Sequence, residues 1–164
     1  MIYECHTDKF HLEYIESEIT RPVLWENHTH AQYEMIAVAD GDVTVIPEGQ
    51  QYRLIKNQII IIPPLCYHSV TANGKGAYRR ITAMFDSDAI PDVLRAEFEG
   101  QVRESAIAAS QIEKLRNVCQ RNAPSFFAPL MQSLMTELFY DTVQTPIAAA
   151  QTETDDFIQK PSAT

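Results

Sequence analysis

Between Asp40 and Gly74 the chain turns at nearly regular intervals, and that rhythm constrains the fold more than any other feature. Asp40-Gly41 separates MIAVA from VTVIP, and Pro47-Glu48-Gly49 separates VTVIP from QYRLI. Lys56-Asn57 precedes QIIII, and Asn73-Gly74 separates HSVTA from AYRRITAMF. Short segments rich in Val, Ile, Thr and Tyr, punctuated about every ten residues, predict a sandwich or barrel of antiparallel strands. The run Ile59 to Ile62 lacks polar alternation, so both of its faces should be covered, as between two packed layers. Upstream, a period of two from Phe10 to Tyr14 predicts one or two edge strands, which Arg21-Pro22 ends.

After Phe85 the period changes to that of helices. Pro91 fits a first helical position, with Val93, Leu94 and Phe98 on one side and Gly100 as a stop. Ser110-Gln111-Ile112-Glu113 reads as a capping box opening a helix whose stripe is Ile112, Leu115, Val118 and Cys119. A third helix, Ser125 to Thr142, carries two adjacent apolar stripes, at positions 127/131/134/138 and 126/130/135/139. That arc is wider than one packing partner buries, so a two-fold contact between copies of the chain is expected through Phe127, Leu130, Met131, Leu134 and Leu138. The alternative is that the preceding helix covers both stripes. Residues 144–164 have linker composition. The expected division is therefore 1–88 barrel, 89–143 helical segment and 144–164 linker.

The 164 residues suffice for one domain with a real core. A net charge of −9 opposes phosphate backbones and anionic membranes, so this chain alone is a poor nucleic-acid binder. No export signal or membrane span is read, and Cys5, Cys66 and Cys119, an odd count without Cys-X-X-Cys, fit reduced thiols in a cytoplasmic protein. Cys66 stands two residues from His68, but a small buried hydrophobe is its better reading.

The stretch from Asn27 to Gly41 reads NHTHAQYEMIAVADG. On an extended strand, His28, His30 and Glu34 would share one face, and His68 would arrive from a neighbouring strand. Three imidazoles and a carboxylate suit a divalent Zn, Ni, Mn or Fe cation, with open positions for an oxygen-bearing ligand. The alternative is that the same side chains line a pocket without metal and hydrogen-bond a polar organic ligand or each other. The pattern His-X-His-X3-Glu-X6-Gly, then Pro63-X4-His68, resembles the two motifs of the cupin superfamily. His28, His30, Glu34 and Gly41 match the first motif, and Pro63 and His68 match the second. Leu65 and Asn57 stand where that second motif usually has Gly. Asn tolerates a left-handed backbone and Leu does so poorly, which puts the turn before His68 in question.

From His28 to Phe139 the chain resembles the N-terminal effector-sensing and dimerisation domain of AraC-type bacterial transcription regulators. The resemblance implies a mainly β fold: a cupin (double-stranded β-helix, jelly-roll) barrel followed by an α-helical dimerisation pair. It also implies a small-molecule effector, a homodimer, and DNA contacted only through a C-terminal domain of about a hundred residues with two helix-turn-helix units. Nothing after Thr142 resembles such a unit, so the 164 residues are expected to be a fragment or a shortened product.

Trp25, the only tryptophan, is either core or a pocket wall. On the strand Tyr78 to Phe85 the even set is Tyr78, Arg80, Thr82 and Met84. If that face points inward, Arg80 would meet an effector carboxylate with Thr82 beside it; otherwise Arg80 is an exposed edge arginine. Ile2 to Tyr14 is a candidate for a movable arm that closes over the ligand. Sensing without catalysis is the leading expectation. A metal-dependent cupin enzyme of dioxygenase, isomerase or decarboxylase type is the alternative, with Tyr67 or Tyr78 as the nearest thing to an extra base.

Overall fold

The computed structural model describes residues 1–121 and 124–145. The linker expected over 144–164 falls almost wholly outside them, as does the side chain of Phe127. Among the described residues, ten strands form two open antiparallel sheets. The strands are β1 (Ile2–His6), β2 (Phe10–Ile19), β3 (Val23–His28), β4 (Tyr33–Asp40), β5 (Asp42–Pro47), β6 (Tyr52–Ile55), β7 (Gln58–Ile62), β8 (His68–Asn73), β9 (Gly76–Phe85) and β10 (Arg103–Ala106). One sheet has the order β1-β2-β9-β4-β7-β10 and the other β3-β8-β5-β6.

The expected turns at Asp40-Gly41, Pro47-Glu48-Gly49, Lys56-Asn57 and Asn73-Gly74 all separate strands, because residues at each adopt the left-handed backbone. At Gly41 the requirement is double: φ is +99°, and an added Cβ would lie 3.1 Å from the Ala77 carbonyl oxygen. Strand β7 is buried on both faces, as its unbroken apolar run predicts. Ile59 and Ile61 join the core between sheet and helices, while Ile60 and Ile62 join the core between the two sheets.

The N-terminal residues correct the idea of a loose arm. Strand β2 pairs with β9 over its whole length, and β1 pairs with β2, so both belong to the larger sheet. Strand β10, which no periodicity announced, is the opposite edge and pairs with β7. The helix expected from Pro91 is shorter than a helix of that span: a 3-10 turn at Asp92–Leu94 runs into α1 (Arg95–Phe98) and stops before Gly100, whose φ is +63°. Leu94 and Phe98 are buried there, but Val93 points outward.

Helix α2 (Ala109–Arg121) buries the predicted stripe of Ile112, Leu115, Val118 and Cys119. Its cap differs from the expected box: the Gln111 side chain reaches back to accept from the Ala108 N–H, so the helix starts before Ser110. Helix α3 (Pro124–Gln144) lies in the angle between α2 and the larger sheet. This position changes which residues are left for the expected contact between copies. Met131, Leu134, Met135, Leu138 and Phe139 are all buried in the chain's own core, and Phe139 packs on Phe85 and Phe98. With a groove rather than a flat partner, one chain covers Met131, Leu134, Leu138, Met135 and Phe139 from the two stripes. Among the described side chains of the expected interface, Leu130, 45% exposed, stands on the surface.

Candidate metal centre and ligand pocket

The four predicted donors come together, though not by the route the spacing implied. His28 ends β3, His30 lies in the connection to β4, Glu34 is the second residue of β4, and His68 opens β8. The first three do not share one strand. The connection passes from the smaller sheet to the larger, so the cluster sits where the chain crosses between layers. His28 and His68 are direct cross-strand partners. Glu34 Oε2 lies 2.6 Å from His68 Nε2, 3.3 Å from His30 Nε2 and 3.9 Å from His28 Nε2. One donor atom from each residue lies within 4.8 Å of all the others.

Main-chain carbonyls orient two of the rings. His68 Nδ1 is 2.9 Å from the Cys66 oxygen, and His28 Nδ1 is 2.6 Å from the Glu26 oxygen. A carbonyl only accepts, so Nδ1 carries hydrogen in both rings, and in the neutral imidazole the Nε2 lone pair faces the cluster. That is the outer-shell arrangement that prepares an imidazole for a cation. The donor set therefore fits a borderline divalent metal, held by three neutral nitrogens and one carboxylate oxygen.

The charges agree with this geometry. Burial alone would raise the Glu34 pKa, but the hydrogen bond and charge of His68, then the charges of His30 and His28, outweigh it and hold the carboxyl below its ordinary range. Burial pulls His68 down, while the bonds to Glu34 and to the Cys66 carbonyl overcome it, so His68 titrates above its ordinary value. Burial dominates at His30, which titrates lower than usual despite the attraction of Glu34.

The turn before His68 also answers the question raised by Leu65. Its φ is +63°, a strained backbone for leucine, and its N–H donates to the His30 carbonyl at 2.7 Å. One hydrogen bond thus ties the His30 loop to the His68 loop. Asn57 adopts φ +65° at little cost.

The even face of β9 turns inward, toward the smaller sheet. Arg80 is 6% exposed, not an edge arginine, and its Cζ sits 4.2 Å from the centre of the half-buried Trp25 ring. Trp25 packs against Tyr78, with ring centres 6.0 Å apart, so it is a wall of this interior rather than deep core. Tyr78 Oη, Arg80 Nε and Thr82 Oγ1 are buried without hydrogen-bond partners, and among the described residues no carboxylate pairs with Arg80. Burial raises the Tyr78 hydroxyl to about 12 against the lowering effect of Arg80, so it stays protonated and able to donate. Parity placed Tyr78, Arg80 and Thr82 on one face of the strand; it did not decide which face turns inward.

Register relates this group to the donor cluster. Glu34 lies opposite Met84, and Thr82 and Arg80 precede Met84 by two and four residues on the same face. At a strand rise of about 3.3 Å, they stand ~7 and ~13 Å along β9 from the Glu34 row. Two surface cavities, of about 570 and 330 Å³, lie elsewhere and contain none of the four donors. Tyr33 points to the opposite face of the sheet and packs in the helical core, stacked on Phe85.

Among solved structures, similarity extends to the Cnp3 cupin domain of Schizosaccharomyces pombe, at 17% identity over 60% of this chain and 69% of that one, with a TM-score of 0.47. KdgF from Halomonas sp. is 18% identical over 57% of this chain and 80% of that one, with a TM-score of 0.45. A cupin superfamily protein from Desulfitobacterium hafniense DCB-2 is 9% identical over 52% and 78%, with a TM-score of 0.44. No curated protein matches the chain in sequence. No described helix is long and apolar enough to cross a membrane. The family comparison covers residues 9–139, which hold every donor and pocket residue described above, and by it the chain belongs to the AraC-like ligand binding domain family.

Proposed function

We propose that this chain is the effector-sensing domain of a transcription regulator and that it binds a small oxyanion-bearing molecule, such as a carboxylic acid, between its two sheets. The observation that carries the proposal is the group of buried, unpartnered polar atoms at Tyr78, Arg80 and Thr82. A buried guanidinium without an anion is costly, and an effector carboxylate would supply the missing partner. Trp25 would form the wall against which the molecule packs. His28, His30, Glu34 and His68 would hold a divalent cation beside it. A bound cation offers open coordination positions to ligand oxygen.

In this reading the role is regulatory rather than catalytic. Occupancy biases the helical segment, and through it a homodimer and a DNA-binding domain elsewhere in the regulator. Coupling of this kind is typically worth about 1–3 kcal/mol, so the ligand must contact the two states differently. Because α3's inner residues are used within the chain, the dimer contact would involve its outer side, around Leu130 and Tyr140.

A thermal-shift screen of small carboxylic and sugar acids tests the pocket. A true ligand at a hundred times its dissociation constant stabilises the wild type by about 2.7 kcal/mol and leaves Arg80→Gln unshifted. A ligand that stabilises both proteins equally refutes the assignment of Arg80.

A further inference from the structure

A second group of metal-ligating side chains lies outside the cluster described above, on the hairpin of β1 and β2. We propose that Glu4, His6 and His11 form a separate surface site for a borderline divalent cation of the Zn2+, Ni2+ or Cu2+ class. His6 and His11 are direct cross-strand partners, and their rings stack with centres 4.0 Å apart and planes 23° from parallel. Glu4 precedes His6 by two residues and so shares its face, with its Oε2 3.6 Å from His6 Nε2. One donor atom from each residue lies within 4.8 Å of the other two. All three side chains are exposed, so a turn about χ2 is free to aim both imidazole lone pairs at one point.

The sequence pins this pairing rather than leaving it to chance. Cys5 and Leu12, also cross-strand partners, are buried on the opposite face in the helical core, so a one-residue slip would expose them. The turn is fixed as well: Thr7 N–H donates to the Phe10 carbonyl, and Phe10 N–H donates to Thr7 Oγ1. Glu13, the cross-strand partner of Glu4, adds a second carboxylate to the same face. The chain's net charge of −9 favours cation capture.

The site faces the same side of the larger sheet as the inner cluster. His6, His11, Met84 and Glu34 form one transverse row across β1, β2, β9 and β4. With strands about 4.8 Å apart, His11 lies ~10 Å from Glu34 along that row, too far for the two groups to share one ion. Strand β1 pairs only with β2, so a cation held by both strands would fasten an edge of the sheet.

Zinc titration by calorimetry on folded protein, checked by circular dichroism, tests the site in a background where the inner cluster is disabled by His30→Ala with Glu34→Gln. That double variant is expected to keep one zinc site, and adding His11→Ala to weaken it at least about tenfold. Hydrogen exchange supplies the second readout: zinc should slow the amides of β1 in the double variant and leave them unchanged once His11 is removed. Absence of zinc binding in the double variant, or binding and exchange indifferent to His11, overturns the proposal. If the inner cluster holds no metal, the wild type shows a single zinc site that depends on His11 and not on Glu34, which separates the two readings.

Discussion

Replacing Glu34 by glutamine separates a metal centre from a hydrogen-bonded polar cluster, because it keeps the shape and removes the charge. In the metal-free wild type, Glu34 Oε2 accepts from the Nε2–H of protonated His68 at 2.6 Å in a buried setting. Glutamine retains an oxygen that can accept from His68 but forfeits charge assistance. A hydrogen bond to a charged group contributes about 1.5–3 kcal/mol and a neutral one about 0.5–1.5, so the metal-free variant should lose on the order of 1 kcal/mol. For a chain of this size that corresponds to roughly 2–4 °C in Tm. The cost to metal binding is larger, since an amide oxygen does not neutralise the cation. A loss of at least about a hundredfold in zinc affinity, or ~2.7 kcal/mol, is expected. Thermal unfolding with and without zinc, together with calorimetry, reads both quantities. The pH dependence carries a second signature. Glu34 titrates below its ordinary 4.5, so its stabilisation is present above pH 4.5 and fades as pH falls through its folded value. His68 titrates above its ordinary 6.5, so its stabilisation is present below pH 6.5 and fades as pH rises through its folded value. The pair therefore supports metal-free protein most between about pH 4.5 and 6.5, whereas zinc needs neutral imidazoles and binds best above that window. Zinc affinity unchanged within threefold in Glu34→Gln would refute the carboxylate's role as a ligand.

Two further predictions concern the frame around the site. Leu138 is 2% exposed inside the chain's own core, so Leu138→Ala should cost about 2–5 kcal/mol in urea unfolding, by the same amount at low and high protein concentration; a cost that changes with concentration would return Leu138 to a contact between copies. Gly41→Ala meets both a left-handed backbone and the Ala77 carbonyl at 3.1 Å, so a loss of about 1–3 kcal/mol is expected by the same measurement, and a loss below half a kcal/mol would mean the β4–β5 turn can relax.

How much was legible in the sequence depended on whether an interaction was local. Turns were readable because Gly41, Gly49, Asn57 and Gly74 each mark a left-handed backbone that few residues accept. The doubly buried β7 was readable because an unalternating run has no solvent face. The helical stripes were found, but periodicity reports which residues are buried and is silent about what buries them. For α3, that depended on the angle at which α2 and the larger sheet meet, a long-range property. Strand β10 escaped notice because four residues, Arg103 to Ala106, carry too little pattern, and pairing with β7 alone makes them a strand.

The donor set was legible for a reason different from the one its spacing offered. Parity on a single strand would place His28, His30 and Glu34 on one face, yet β3 ends at His28 and β4 begins at Tyr33 in the other sheet. What the spacing encodes is a crossover: four residues, 29–32, carry the chain between layers, and the side chains on either side of it converge there. The strained Leu65 turn belongs to the same device, since its N–H closes onto the His30 carbonyl and locks one loop against the other. A position that local propensity marks as wrong for leucine is thus held by a contact only the folded chain supplies. The cluster is accordingly built at strand ends and in the 29–32 connection, where the chain crosses between sheets, with Arg80, Thr82 and Tyr78 on the central strand β9. Under the proposed sensing role, the strand would fix what is recognised and the connection would register that something is bound.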